Sequence, residues 1–318
     1  MWGMFGGLPT KFFKKVYEFV RITNSEDPFK GPDERLRNEP CEKNPRHKRF
    51  HRFKPFRHII LPHPYNHDNQ FGPLIKGIGY LVVKVHVRIP ETHKISLGSG
   101  KIVFSRVKSG TLSRCCPCET CQHEKEKSVK GNLKREDQKQ KTQWGEIHVV
   151  TAYHVVGSNK DVKKTTCLLN YDDEAHSKPI ELDGLKINRW SKDRDMCEFI
   201  CISHDMDLVK GLRKKIYFLK GRHEKVYRDY RYSAERNLCV IVSHPHGCAK
   251  HVTCGELLNT VPVQRGEFNF TTLCYNTHTC GGSSGAPVYR VNKRSVWYLH
   301  PHRGEKDGAS NWSGSVYE

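Results

Sequence analysis

From Leu74 onward, apolar and polar residues alternate in short runs. Between Tyr80 and Ile89, Leu81, Val83, Val85 and Val87 share one parity, and basic and apolar residues share the other. A period of two predicts a half-buried strand. Ser96 to Val107 (SLGSGKIVFSRV) reads as a glycine-broken strand pair. Further strands are expected at Glu146–Thr151, Thr166–Asn170, Cys197–Ile202, Cys239–Ser243, Ala286–Arg290 and Val296–His300. Many short strands separated by polar turns predict an all-β barrel or sandwich. Asp207 to Lys220 carries a helical pattern, and residues 122–141, mostly Lys, Glu and Gln, read as a mobile loop. No internal repeat is present.

Residues 1–74 have a different texture. Phe12, Val16, Phe19 and Val20 fall at helical spacing with lysines between them, so Thr10 to Thr23 predicts an amphipathic helix docked on the body of the protein or on a membrane surface. Residues 24–45 are polar and proline-bearing and read as a linker. In residues 46–57, Arg46, Lys48, Arg49, Arg52, Lys54 and Arg57 interleave with Phe50, Phe53 and Phe56. Cations that meet phosphates, alternating with rings that stack on bases, suit a nucleic-acid arm. The same pattern suits a strap whose phenylalanines anchor it to the domain while its charges face water.

Composition narrows the function classes. The chain has 318 residues, room for one large domain with an extension or for two modest domains. A formal charge of +20 favours polyanionic partners. Apolar runs such as Gly79–Val83 are far shorter than the roughly 18 to 20 residues of a spanning helix, so no membrane span is expected. The N-terminus lacks the sustained apolar stretch of a signal peptide. An intracellular location, cytosol or nucleus, is therefore expected.

Candidate chemistry concentrates in three places. Cys280 to Val288 reads CGGSSGAPV, with Gly282 and Gly285 bracketing Ser284. A nucleophilic serine needs a tight turn that projects its oxygen and backbone N–H groups aimed at the developing oxyanion, and flanking glycines permit both. A glycine-rich loop without catalysis is the plainer alternative. Val149 to Val156 (VVTAYHVV) sets His154 at the end of a β-branched strand, where it can act as general base. Asp195, immediately before the strand beginning at Cys197, can fix the tautomer of that base. Asp193, Asp172 and Asp173 are the competing carboxylates.

In order and spacing, His154, Asp195 and Ser284 resemble the catalytic triad of the chymotrypsin-like serine proteases. Gly98-Ser-Gly100, Ser243-His-Pro-His-Gly247, Tyr298 to Gly304 and Asn311-Trp-Ser-Gly314 are similar to further segments of intracellular and bacterial-type members. The resemblance spans roughly residues 75–318. It implies two six-stranded antiparallel β-barrels behind a helical or irregular extension of residues 1–74. The first barrel would cover about 75–200, with a Cys-rich insertion at 108–143, and the second about 215–318. It implies an oxyanion hole from the N–H groups of Gly282 and Ser284, a pocket floor at His278 and Thr279, and a wall drawn from His300, His302 and Arg303. A histidine at the floor resembles the subgroup that prefers acidic residues before the scissile bond, although a neutral histidine equally suits glutamine or an aromatic. One departure stands out: Ser283 occupies the place where secreted trypsins carry the aspartate that captures a new N-terminus. Activation through that ion pair is thus not expected, and no cofactor is required for catalysis.

Thirteen cysteines are an odd number, so at least one is unpaired within the chain. Cys115, Cys116, Cys118, Cys121 and His123 lie within nine residues. Cys115, Cys118, Cys121 and His123 could hold a structural zinc, with Cys167, Cys197 or Cys201 as contributors from a distance. Redox-active thiols and a disulfide knot are the alternatives.

The leading expectation is a serine endopeptidase acting on protein or peptide substrates through an acyl-enzyme. The alternatives are a catalytically inactive protease-like binding protein, and a nucleic-acid binder that uses residues 46–57.

Overall fold

The structure is a computed structural model and describes residues 20–22, 41, 43–89, 94–110, 116–123, 143–173, 175, 177–233, 237–265, 268–291, 300–304 and 311–314. Among the described residues, fourteen strands form two antiparallel sheets, each closed upon itself. In the first, β3 (Val82–Ile89), β4 (Lys94–Ser109), β5 (Gln143–Thr151), β6 (Thr165–Leu169), β7 (Ile180–Ser191) and β8 (Met196–Ser203) form a ring in the order β4-β3-β6-β7-β8-β5, which the pairing of β4 with β5 closes. In the second, β9 (Leu238–Ser243), β10 (His251–Arg265), β11 (Phe268–Tyr275), β12 (Pro287–Arg290), β13 (His300–Arg303) and β14 (Asn311–Gly314) run in the order β11-β14-β13-β12-β9-β10, closed by β10 with β11. These are the two six-stranded barrels expected from the sequence.

Each ring carries one added strand from the N-terminal segment. β1 (Val20–Ile22) pairs with Ile95–Leu97 of β4, and β2 (His51–Arg52) pairs with His251–Val252 of β10. The first pairing corrects the end of the helix expected over 10–23; residues 10–19 lie outside the described residues. β5 takes up the edge of β4 only from Lys101 onward, which leaves Ile95–Leu97 open to a short β-branched partner. The strand pair expected at 96–107 is instead one sixteen-residue strand with an irregularity between Ile102 and Phe104.

β9 reads as a continuous apolar run because both its faces are covered. Cys239 and Ile241 lie with Leu273, Tyr275 and Val288 inside the second barrel. Leu238, Val240 and Val242 join the main core, which includes Val85, Ile147 and Phe199 of the first barrel. α1 (Phe71–Gly79) and α2 (Met206–Tyr230) cover that core. α2 runs ten residues past its expected end at Lys220, and its buried stripe of Val209, Leu212, Ile216, Leu219, His223 and Val226 follows a spacing of three and four. His223 sits within the stripe and masks its continuation in the sequence. Asp205 caps the helix, its side chain accepting from the N–H of Leu208 at 2.9 Å. Among the described residues no helix is long and apolar enough to cross a membrane.

The segment of residues 46–57 is anchored by its rings. Phe53 and Phe56 are buried in the main core, and Phe50 is half-buried. Phe53 donates its N–H to the carbonyl of Lys250 at 2.9 Å, and its ring lies under the ammonium groups of Lys76 and Lys250. Two of the three rings are therefore unable to stack on bases, and the segment has the character of a strap.

Candidate active site and metal-ligand groups

His154 follows β5 in the turn Ala152–Val155, where the N–H groups of Val155 and Val156 donate to the Ala152 carbonyl. Asp195 closes the tight turn between β7 and β8 and takes up a left-handed backbone, φ 50°. Its carboxylate receives both donors of its partner: His154 Nδ1 lies 2.7 Å from Oδ2, and the His154 backbone N–H donates to Oδ1 at 2.9 Å. Burial opposes ionisation of Asp195. Even so, the His154 charge, these hydrogen bonds and a smaller contribution from Arg303 hold the carboxyl below its ordinary range. The competing carboxylates have other surroundings. Asp172 accepts from the buried Lys250 ammonium at 2.7 Å, Asp173 lies 3.7 Å from Lys54, and Asp193 is exposed.

Ser284 stands in the turn between β11 and β12, bracketed by Gly282 (φ 88°) and Gly285 (φ 84°). The turn is closed by Ser283 N–H donating to the Cys280 carbonyl and Ala286 N–H to the Ser283 carbonyl, both at 3.0 Å. Neither glycine tolerates a side chain. A Cβ on Gly282 would come 2.6 Å from the His244 carbonyl, and one on Gly285 would meet Thr151, Ala152 and the Ser99 carbonyl. The turn is thus wedged between its own barrel and the strands of the first.

Ser99 connects these parts. Its backbone N–H donates to the Ser284 carbonyl at 2.8 Å, its hydroxyl donates to the Gly282 carbonyl at 2.8 Å and accepts from His244 N–H at 2.9 Å, and its carbonyl accepts from Thr151 Oγ1 at 2.7 Å. A Cβ on the neighbouring Gly98 would lie 2.7 Å from Val155 and 3.1 Å from the Ser284 carbonyl oxygen. The turn that carries His154 and the turn that carries Ser284 therefore meet over one stretch of β4. Sequence reasoning marked the two glycines of this stretch and missed the serine between them. Ser284 itself is 0 % exposed. Ser283, where a trypsin aspartate would stand, is held by the Ser243 hydroxyl at 3.0 Å.

The expected pocket residues divide. Thr279 and His302 are buried, and His278 and Arg303 are half-buried. The side chain of His300 lies outside the described residues. His302 Nδ1 is 2.6 Å from the Tyr275 hydroxyl, and burial, reinforced by the charges of Lys43, His154 and Arg303, holds its pKa well below the ordinary value. Burial likewise lowers His278, with help from Arg49 and Lys43. Residues expected to be linker are in fact docked here: Asn44 donates through Nδ2 to the Thr279 carbonyl at 2.7 Å, and Lys43 Nζ lies 3.5 Å from Thr279 Oγ1.

All twelve described cysteines are thiols. Cys118 and Cys121 come together with Cys116 and, from beyond β8, His204; their ligand atoms all lie within 4.8 Å of one another. Cys115 is outside the described residues, and the exposed His123 is not part of this group. Neither Cys116, weighed only as a member of the cluster, nor His204 figures in the ligand set expected from the sequence. His204 lies 83 residues beyond Cys121, and no local pattern announces it.

Two closed barrels, with the His154–Asp195 pair on loops of the first and the glycine-bracketed Ser284 on a loop of the second, define the trypsin-like fold. No family model matches the sequence, and no curated protein matches it. Among solved structures the chain is similar to the active form of the Rv3671c protease from M. tuberculosis, at 12% identity and a TM-score of 0.42 over 77% of this chain and 79% of that one. It is also similar to an inactive form of the Rv3671c protease, at 11% identity and a TM-score of 0.40 over 77% of this chain and 87% of that one.

Proposed function

We propose that the protein is a serine endopeptidase with His154 as general base, Asp195 as its orienting carboxylate and Ser284 as nucleophile. The observation that carries this reading is the paired hydrogen bonding of His154 to Asp195, at 2.7 and 2.9 Å. Bonding at Nδ1 leaves Nε2 as the ring atom that can take a proton. In the proposed reaction the Ser284 oxygen attacks a peptide carbonyl while its proton passes to His154. The imidazolium then protonates the leaving amine, and water releases the acyl-enzyme in a second, equivalent step. The N–H groups of Gly282 and Ser284 would hold the oxyanion. Lys43, Arg49 and Arg303 add positive charge around His278 and His302, which supports a preference for acidic residues in the peptide.

Labelling with a fluorophosphonate probe tests the assignment. Wild type should react and Ser284→Ala should not. One observation favours a second reading, a protease-like binding protein without turnover: the complete burial of Ser284. Labelling of neither protein would establish that alternative.

A structural zinc fits the group Cys116, Cys118, Cys121 and His204. Zinc–sulfur and zinc–nitrogen bonds of about 2.3 and 2.0–2.1 Å put adjacent S and N ligands of a tetrahedron about 3.6 Å apart. Cys121 Sγ and His204 Nε2 are separated by 3.3 Å. The metal would fasten the insertion between β4 and β5 to the end of β8 and would take no part in peptide hydrolysis.

A further inference from the structure

A second set of soft ligands lies on the other barrel, next to the nucleophile turn. Cys41, His47, His246 and Cys280 each offer one ligand atom, and all four atoms lie within 4.8 Å of one another. Cys41 Sγ is 3.6 Å from Cys280 Sγ, and His47 Nε2 is 3.1 Å from His246 Nε2. Bond lengths of about 2.3 Å to sulfur and 2.0–2.1 Å to nitrogen give tetrahedron edges of about 3.8 Å between sulfurs and about 3.3 Å between nitrogens. Both measured edges fall within a few tenths of an ångström of these values. A disulfide needs sulfurs about 2.05 Å apart, far closer than this pair.

The surroundings match a pair of thiolates. Asn44 donates through Nδ2 to Cys280 Sγ at 3.2 Å, and its backbone N–H donates to Cys41 Sγ at 3.4 Å. N–H donors aimed at sulfur stabilise the charged form that ligates a metal. Both histidines hold left-handed backbones, His47 at φ 45° and His246 at φ 54°. Such conformations cost free energy in a residue with a Cβ, and a ligand role for both rings accounts for them together. Their rings meet edge to face, at 90°, with the two Nε2 atoms converging.

We infer that Cys41, His47, His246 and Cys280 form a zinc site that clasps the N-terminal segment to the loop preceding Ser284. Cys280 opens the nucleophile turn. His246 donates its backbone N–H to the Gly281 carbonyl at 2.5 Å, so a second ligand also braces that turn. The other two ligands come from the segment that leads into β2. The metal would therefore join an element more than two hundred residues upstream to the wall beside the nucleophile. This site is independent of the one built on Cys116, Cys118, Cys121 and His204, and the inference does not rest on turnover.

The test is zinc content by elemental analysis on the full chain carrying Ser284→Ala, so that no proteolysis intervenes. Cys41→Ser and His47→Asn should each lose one equivalent of zinc relative to the parent. Cys41→His, which keeps a ligand, should retain it. Cobalt substitution gives a second readout. The sulfur-to-cobalt charge-transfer band should weaken in Cys41→Ser, and equally in His47→Gln should His47→Asn fail to fold. Unchanged zinc content in both Cys41→Ser and His47→Asn, or a parent protein in which Cys41 and Cys280 are recovered as a disulfide, would overturn the inference. Fluorophosphonate labelling of the Ser284 protein reads the protease assignment separately, so either proposal can fail while the other stands.

Discussion

The backbone N–H of Ser99, on a strand of the first barrel, donates to the carbonyl of Ser284 on a turn of the second, at 2.8 Å. The Ser99 hydroxyl adds bonds to Gly282 and His244, so one small buried side chain sets the height of the Ser284 turn against the first barrel. Ser99→Ala leaves a carbonyl and an N–H buried without that partner. We expect a loss of about 1–3 kcal/mol in stability. Probe labelling should fall by more than global unfolding explains, measured by urea denaturation and labelling rate on the same preparation.

Asp195→Asn separates geometry from electrostatics. Asparagine tolerates the left-handed backbone at this position and keeps a hydrogen bond to His154, so the fold should persist. The amide favours the wrong imidazole tautomer, and the labelling rate should drop on the order of 10⁴-fold. A variant that labels at the wild-type rate would remove Asp195 from the machinery.

The strap makes a quantitative claim. Phe53→Ala should cost about 3–5 kcal/mol in a urea titration, because the ring is fully buried. Phe50→Ala, at a half-buried position, should cost clearly less. Equal and small effects, paired with a common loss of oligonucleotide binding, would return these rings to a nucleic-acid role.

His86 predicts a pH effect. Its burial, with Lys84 and Arg88 nearby, lowers its pKa from 6.5 to about 3. Between these values the unfolded chain carries a proton that the folded chain lacks, so stability falls as pH drops below the ordinary histidine range. His86→Gln removes this linkage and should gain on wild type by about 2 kcal/mol between pH 7 and pH 5, read from urea midpoints. A difference that stays constant with pH would contradict the buried neutral state.

Much of this architecture was legible along the chain. The strands around His154 and after Ser284 announce themselves through alternation and glycine placement, and Asp195 through its position at a strand entrance. Several strands went unread, β7 and β10 among them. β7 exposes half of its residues, and β10 carries Pro262 just past an exposed run from Leu258 to Thr260, so neither offers the clean apolar period that marks a buried strand. Beyond Cys118 and Cys121, the metal-ligand groups were unreadable for another reason. His204, His47 and His246 reach their partners through the closure of the barrels, and Cys41 meets Cys280 across 239 positions of sequence. Local spacing holds no trace of such meetings. The two left-handed histidines were equally hidden, since backbone angles leave no mark in composition.

The two added strands of the N-terminal segment bear on synthesis at the ribosome. Arg52 finds its partner His251 only after the second barrel has begun to emerge, and the Cys41 segment finds Cys280 later still. Domains form largely in the order in which they are made. The first barrel can therefore close with β1 on its edge while the stretch from Cys41 to Arg52 still awaits its seat. The contact of Cys41 with Cys280 beside Ser284 therefore forms only after most of the second barrel has been made.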